Sequence, residues 1–223
     1  MSRAFTVVYA EQRTPEWKAA RVGRLTASRA KDVLATIKSG EAAARRDYRL
    51  QLVCERLTGE PQDSTFVNAD MERGTELEPM AFAAYEGVTG TVLDRCGFVA
   101  HDELAIGCSP DGIVGDFDGL VELKVPRSAT HLGYLRSGGV PPDHLAQLLH
   151  ALWVTGAPWC DFVSYDPRFP VNLQLFRVRL ERDEAQLAAY AEKALTFLAE
   201  VEREVEAVRT MNSVGAVLRE AVA

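Results

Sequence analysis

Apolar positions along the chain change period several times, and each change marks an element. Helical spacing broken by Gly and Pro predicts helices at about 14–22, 26–36, 41–57 and 68–87. Thr14-Pro15-Glu16 opens the first with a cap candidate and a first-turn Pro, and Gly23 ends it. Thr26-Ala27-Ser28 opens the second, and Thr58-Gly59-Glu60-Pro61 stops the third. The fourth carries Met71, Leu77, Met80, Ala84 and Val88 at helical spacing. Strands follow near 91–100, 104–108, 111–115 and 119–125, then helices at about 128–137 and 143–155, the latter after Pro141-Pro142. Further strands fall at 160–165 and 172–179. A last helix over 183–209 repeats Leu187, Ala191, Ala194, Leu198, Val201, Val205 and Val208 at gaps of 4,3,4,3,4,3, a stripe for packing on the domain or on a subunit. From Thr210 onward a loosely held tail is expected. This order predicts an α/β fold with one mixed central sheet flanked by helices.

The segment richest in chemistry is Ser109-Pro110-Asp111-Gly112, a short turn, then Val121-Glu122-Leu123-Lys124-Val125. Alternation puts Glu122 and Lys124 on one face and Val121, Leu123 and Val125 on the other, toward a core. Asp116-Phe117-Asp118-Gly119 supplies the connection, so Asp111 on the first strand lies near Glu122 on the second. Two adjacent carboxylates repel, and a hard divalent cation relieves that repulsion. A neighbouring lysine can orient or deprotonate an attacking water, which is a toolkit for phosphodiester hydrolysis. On these residues alone, a solvated Glu-x-Lys pair beside an ordinary Asp-Gly turn remains open.

Composition narrows the class. The chain has 223 residues, 47% hydrophobic and 26% charged, and no apolar run long enough to cross a bilayer. Met1-Ser2-Arg3-Ala4-Phe5-Thr6-Val7-Val8-Tyr9 holds too short an apolar stretch for a signal peptide. Cys54, Cys96, Cys108 and Cys160 form no CxxC pair, so free thiols in a reducing cytoplasm are expected rather than a zinc or iron–sulfur centre. Net charge is −7, yet residues 1–60 carry 12 Lys/Arg against 7 Asp/Glu. A basic part on an acidic body suits a confined basic channel, and equally a chance asymmetry of solvated faces.

Three further features bear on function. Arg21 and Ser28 flank a helix start, where free N–H groups and a guanidinium could clamp a terminal phosphate; a simple cap beside a solvated arginine fits the same residues. Arg73-Gly74-Thr75-Glu76-Leu77-Glu78-Pro79 places Gly and Pro inside a helix, which marks a close approach or a kink. Glu78 then faces either the metal site or solvent. Asp143-His144-Leu145-Ala146-Gln147-Leu148-Leu149-His150 opens an apolar helix whose Gln147 needs buried partners, such as a water or a phosphate oxygen. His144 and His150, six apart, share no face and read as structural or surface residues.

In order along the chain, Trp17…Arg21…Thr26-Ala27-Ser28, Arg73-Gly74…Glu78, Cys108-Ser109-Pro110-Asp111-Gly112, Glu122-Leu123-Lys124, Gln147, Trp153-Val154-Thr155 and Tyr165-Asp166-Pro167-Arg168 resemble one group of enzymes. This is the lambda-exonuclease-like (YqaJ-type) viral recombinase and alkaline exonuclease branch of the PD-(D/E)xK nucleases. The resemblance runs from about Pro15 to Glu200. It implies a restriction-endonuclease-like core and a 5′-to-3′ exonuclease on linear double-stranded DNA that releases 5′-mononucleotides and leaves 3′ single strands. By similarity Asp111, Glu122, the Leu123 backbone carbonyl and Glu78 hold one or two Mg²⁺ (or Mn²⁺) ions, Lys124 and Gln147 position and activate water, and Arg21 and Ser28 hold the DNA 5′-phosphate. It also implies one exonuclease domain over 1–209, with a helical part at about 12–90, a sheet core at about 91–180, the helix at 183–209 and a tail at 210–223. A homotrimeric ring, a single-strand annealing partner and a cytoplasmic location follow from the same likeness. The family's second Gln, two residues after the first, is replaced here by Leu149. A PD-(D/E)xK endonuclease and a DNA-end-binding protein without catalysis are the competing readings.

Overall fold

The computed structural model describes residues 4–62 and 69–220. Residues 1–3, 63–68 and 221–223, which include the expected start of the fourth helix at Asn68 and the end of the tail, lie outside the described residues. The elements run β1 (Phe5–Val8), α1 (Pro15–Arg21), β2 (Leu25–Thr26), α2 (Ala30–Val33), α3 (Ala43–Thr58), α4 (Ala69–Thr89), β3 (Phe98–His101), β4 (Ile106–Cys108), β5 (Gly112–Val114) and β6 (Gly119–Lys124). Then come α5 (Ser128–Ser137), α6 (Pro142–Thr155), β7 (Trp159–Tyr165), β8 (Leu175–Glu181) and α7 (Glu184–Glu220).

The α/β class holds, but the single central sheet does not. Two four-stranded mixed sheets form, in the orders β1-β3-β4-β2 and β5-β6-β7-β8. The division falls at Ser109-Pro110-Asp111, between β4 and β5, where Pro110 has no N–H to give a ladder. The short apolar run at the start of the chain, read above only for targeting, is β1, antiparallel to β3. The expected 26–36 helix shrinks to a 3-10 turn, Ala27–Arg29, leading into α2. Leu25 and Thr26 are taken instead into parallel pairing with β4, and the Thr26 amide donates to the Tyr48 hydroxyl at 3.0 Å.

Helix α4 buries a different face from the one expected. Ala81 and Tyr85 pack on Val121, Leu123, Val163 and Tyr165, whereas Met80 and Val88 are exposed. Only tertiary contact selects among the apolar residues of this helix. In α7 the expected stripe is buried at Leu187, Ala194, Leu198, Val201 and Val205, with Tyr190 and Phe197 added. The helix continues through Glu220 rather than ending at 209, and runs past Gly215.

Helix α6 is the centre of the fold. Ala146, Leu148, Leu149, Ala151, Leu152 and Val154 are buried in one cluster with Ile106, Leu120, Phe162, Leu187 and Phe197. Strand β6 is covered on both faces, with α6 and Leu120 on one side and α4, Val121 and Leu123 on the other. Among the described residues no helix is long and apolar enough to cross a membrane.

Candidate active site

The β5–β6 hairpin builds the centre of the site. Gly112 pairs with Val121, so Asp111, one residue before β5, falls opposite Glu122. Its carboxylate accepts the Leu123 amide at 2.7 Å, which fixes it beside β6. Pleating turns Glu122 to the α6 side of the sheet, where Gln147 donates to its Oε1 at 2.5 Å. Lys124, two residues on, forms an ion pair with the same oxygen. Asp111, Glu122, Lys124 and Gln147 therefore meet on one wall of a cleft of about 630 Å³.

Burial pushes the Asp111 carboxyl up, and the charge of Glu122 adds to the rise, against Lys124 and the Leu123 amide. Burial opposes the Lys124 ammonium, yet Glu122 and Asp111 carry it above its usual range. The wall thus holds two carboxylates against one ammonium, an unbalanced anionic pair. Its donors are all oxygen, the set a hard divalent ion prefers. Among the described residues no three of His, Cys, Asp or Glu converge into a finished cage. Glu78 faces the same cleft from α4, but its carboxylate takes a hydrogen bond from Arg95 at 2.8 Å.

Another part of the cleft wall comes from α1 and the turn before α2. Arg21 and Ser28 both line the cleft. The Arg21 guanidinium lies 4.0 Å from the centre of the Trp17 ring, and the Trp17 indole donates to the Ser109 hydroxyl at 2.9 Å. The stacking is a cation–π contact that holds the guanidinium in place. The Trp17–Ser109 bond ties this wall to the residue two before Asp111.

His144 has the structural seat expected of it, at the edge of the site. It lines the cleft, contacts the Tyr134 hydroxyl at 3.2 Å, and stacks on Phe162. Burial, then the charge of Lys124, lowers its pKa to about 4, so it is neutral beside the site. The signal was available: His144 and Gln147 are three apart and share a helix face. His150 is structural, buried between the Tyr190 hydroxyl and the Gly107 carbonyl. Leu149 is buried in the core, away from the cleft lining. A larger opening, about 1000 Å³, lies between α3 and α7, where Arg45 and Arg49 pair with Glu41, Glu200 and Glu204.

Residues 16–158 match the YqaJ-like viral recombinase domain family. The chain belongs to that family. Among solved structures it is similar to the alkaline exonuclease LHK-Exo from Laribacter hongkongensis, at 42% identity and TM-score 0.80, with 90% of this chain and 98% of that chain covered. LHK-Exo in complex with dAMP gives 43% identity and TM-score 0.81 over the same shares. A phage-related exonuclease from Haemophilus somnus, 14% identical over 84% of this chain and 96% of that one, shares the fold at TM-score 0.59. No curated protein matches significantly. The fold is of the PD-(D/E)xK type, and what the chain shares with LHK-Exo is a nuclease core of the alkaline-exonuclease kind.

Proposed function

We propose that this YqaJ-family nuclease is a metal-dependent 5′-to-3′ exonuclease on linear double-stranded DNA, releasing 5′-mononucleotides and leaving 3′ single strands for annealing. The observation that carries the reading is one cleft lined by Asp111, Glu122, Lys124 and Gln147 together with Arg21 and Ser28. Asp111 and Glu122, with the Leu123 carbonyl and Glu78 at the margin, would hold Mg²⁺ or Mn²⁺. Such an ion polarises a phosphoryl oxygen and makes water a stronger nucleophile near neutral pH.

The chain's own residues supply the rest. The Lys124 ammonium sits against Glu122, where it offsets the charge that builds on the scissile phosphate and orients the attacking water. Gln147 fixes the Glu122 carboxylate by its amide hydrogen bond. Arg21, braced on Trp17, and Ser28 grip the 5′-phosphate left by each cut, so a phosphorylated end is preferred. On family membership we extend the proposal to a homotrimeric ring, a single-strand annealing partner, and work in the cytoplasm of a bacterial or phage-infected cell.

The test uses linear duplex labelled at one end, bearing a 5′-phosphate or a 5′-hydroxyl, with Mg²⁺ or EDTA. Mg²⁺-dependent mononucleotide release, faster from the phosphorylated end, is expected. Cutting of covalently closed circles would replace the proposal with an endonuclease. Binding without hydrolysis in Mg²⁺ or Mn²⁺ would leave a DNA-end-binding protein.

A further inference from the structure

Two features at the mouth of the cleft break local rules of backbone chemistry. Arg13, in the turn before α1, has φ +74°, the left-handed region that a side chain with a β-carbon enters at a cost. Glycine would take this conformation freely. The strained arginine reaches across the mouth, and its Nη1 donates to the Thr75 hydroxyl on α4 at 2.7 Å. Beside Thr75 stands Gly74, inside a helix where alanine would be more stable. A β-carbon there would meet no atom within 4 Å, so no packing in the protein asks for glycine. Pro79 breaks the same stretch, since it has no N–H to give the carbonyl four residues earlier. Arg13, Gly74 and Thr75 line the same cleft as Asp111, Glu122 and Lys124.

In the folded chain Arg13 ties the turn to α4 through the Thr75 hydroxyl, at the cost of a left-handed backbone, and Gly74 answers no packing need. Both make sense once a further body enters the cleft beside them. The other cations of the cleft are engaged elsewhere: Lys124 is paired with Glu122, and Arg21 rests on Trp17 deeper in. Arg13 is the exposed charge at the rim.

We infer that a DNA strand reaches the carboxylates past Arg13 and Gly74–Thr75, with Arg13 contacting a backbone phosphate. The inference rests on the proposed activity and adds a contact outside the 5′-phosphate grip. Arg13 exchanges its Thr75 hydroxyl for a phosphate oxygen, a charge-assisted bond that outcompetes the neutral one. Gly74 lets the sugar–phosphate chain run close to α4.

The test measures binding of a 5′-phosphorylated linear duplex to the full chain in EDTA, across a range of salt concentrations. Loss of one phosphate contact lowers the slope of log affinity against log salt by about 0.9. Arg13→Gly is therefore expected to weaken binding roughly tenfold at low salt and to reduce the slope by about one, without lowering Tm, because glycine relieves the left-handed strain. Gly74→Leu is expected to keep or raise Tm and yet weaken binding and mononucleotide release, since the side chain has room in the free protein only. An unchanged salt slope in Arg13→Gly, or a Tm that falls together with affinity, would overturn the inference and make the Arg13–Thr75 bond a loop tie. Unimpaired DNA binding by Gly74→Leu would place the strand elsewhere. Failure of the parent protein to bind DNA at all would instead sink the functional reading beneath it.

Discussion

His150 joins three elements: it sits on α6, its Nδ1 meets the Tyr190 hydroxyl of α7 at 2.7 Å, and its Nε2 meets the Gly107 carbonyl of β4 at 3.2 Å. A carbonyl only accepts, so Nε2 carries the proton and Nδ1 accepts from the tyrosine. Burial drives the pKa down to about 3 from 6.5, against the hydrogen bonds to the Gly107 and Leu25 backbone. The folded chain therefore keeps this ring neutral while the unfolded chain takes up a proton below about 6.5. Stability is fully present above that pH and falls as the medium is acidified toward about 3. The slope is about 1.4 kcal/mol per pH unit, so pH 5 costs about 2 kcal/mol from this residue. His150→Gln keeps a donor and an acceptor but does not titrate. Urea unfolding in EDTA at pH 7.5, 6.5, 5.5 and 5.0 checks this, read as the difference between parent and variant. Differencing removes the shared terms: His144, also depressed, acts in the same direction, and Asp111, raised, acts in the opposite one. Asp161 and Asp166 are lowered from 3.8, so their loss begins below this window. Parallel stability curves for parent and variant from pH 6.5 to 5 would refute the argument.

Three other outcomes follow from the geometry. Lys124→Ala should cut mononucleotide release by at least about 100-fold while duplex binding persists, and turnover within tenfold of the parent would remove Lys124 from the chemistry. Asp161 is fully buried and held by Tyr85, Arg177 and Arg179; Asp161→Ala leaves the buried Tyr85 hydroxyl without this partner, while the solvent-exposed guanidinium groups turn to water, and should cost about 1–3 kcal/mol in urea unfolding, so an unchanged urea midpoint would show that water replaces the carboxylate. A β-carbon at Gly119 would lie 2.0 Å from the Trp159 ring, so Gly119→Ala should destabilise by about 1–3 kcal/mol, and an unchanged urea midpoint would mean the indole moves aside freely.

Sequence alone determined the parts governed by short range. Strand alternation put Glu122 and Lys124 on one face with Val121 and Leu123 on the other, and the hairpin spacing put Asp111 opposite Glu122. The 4,3 repeat marked most of the buried stripe of α7. Tertiary structure decided what depends on partners far apart in the chain. The break into two sheets at Ser109-Pro110-Asp111 depends on which strands find one another, not on the propensity of any one. The buried face of α4 was set by Val121 and Val163, tens of residues away, because several of its apolar residues could have served. His144 entered the cleft because Tyr134 and Phe162 hold it there, and Arg13 reached Thr75 across 62 positions of sequence. Local periodicity records which way a side chain points; only the assembled fold brings two such directions into one cleft.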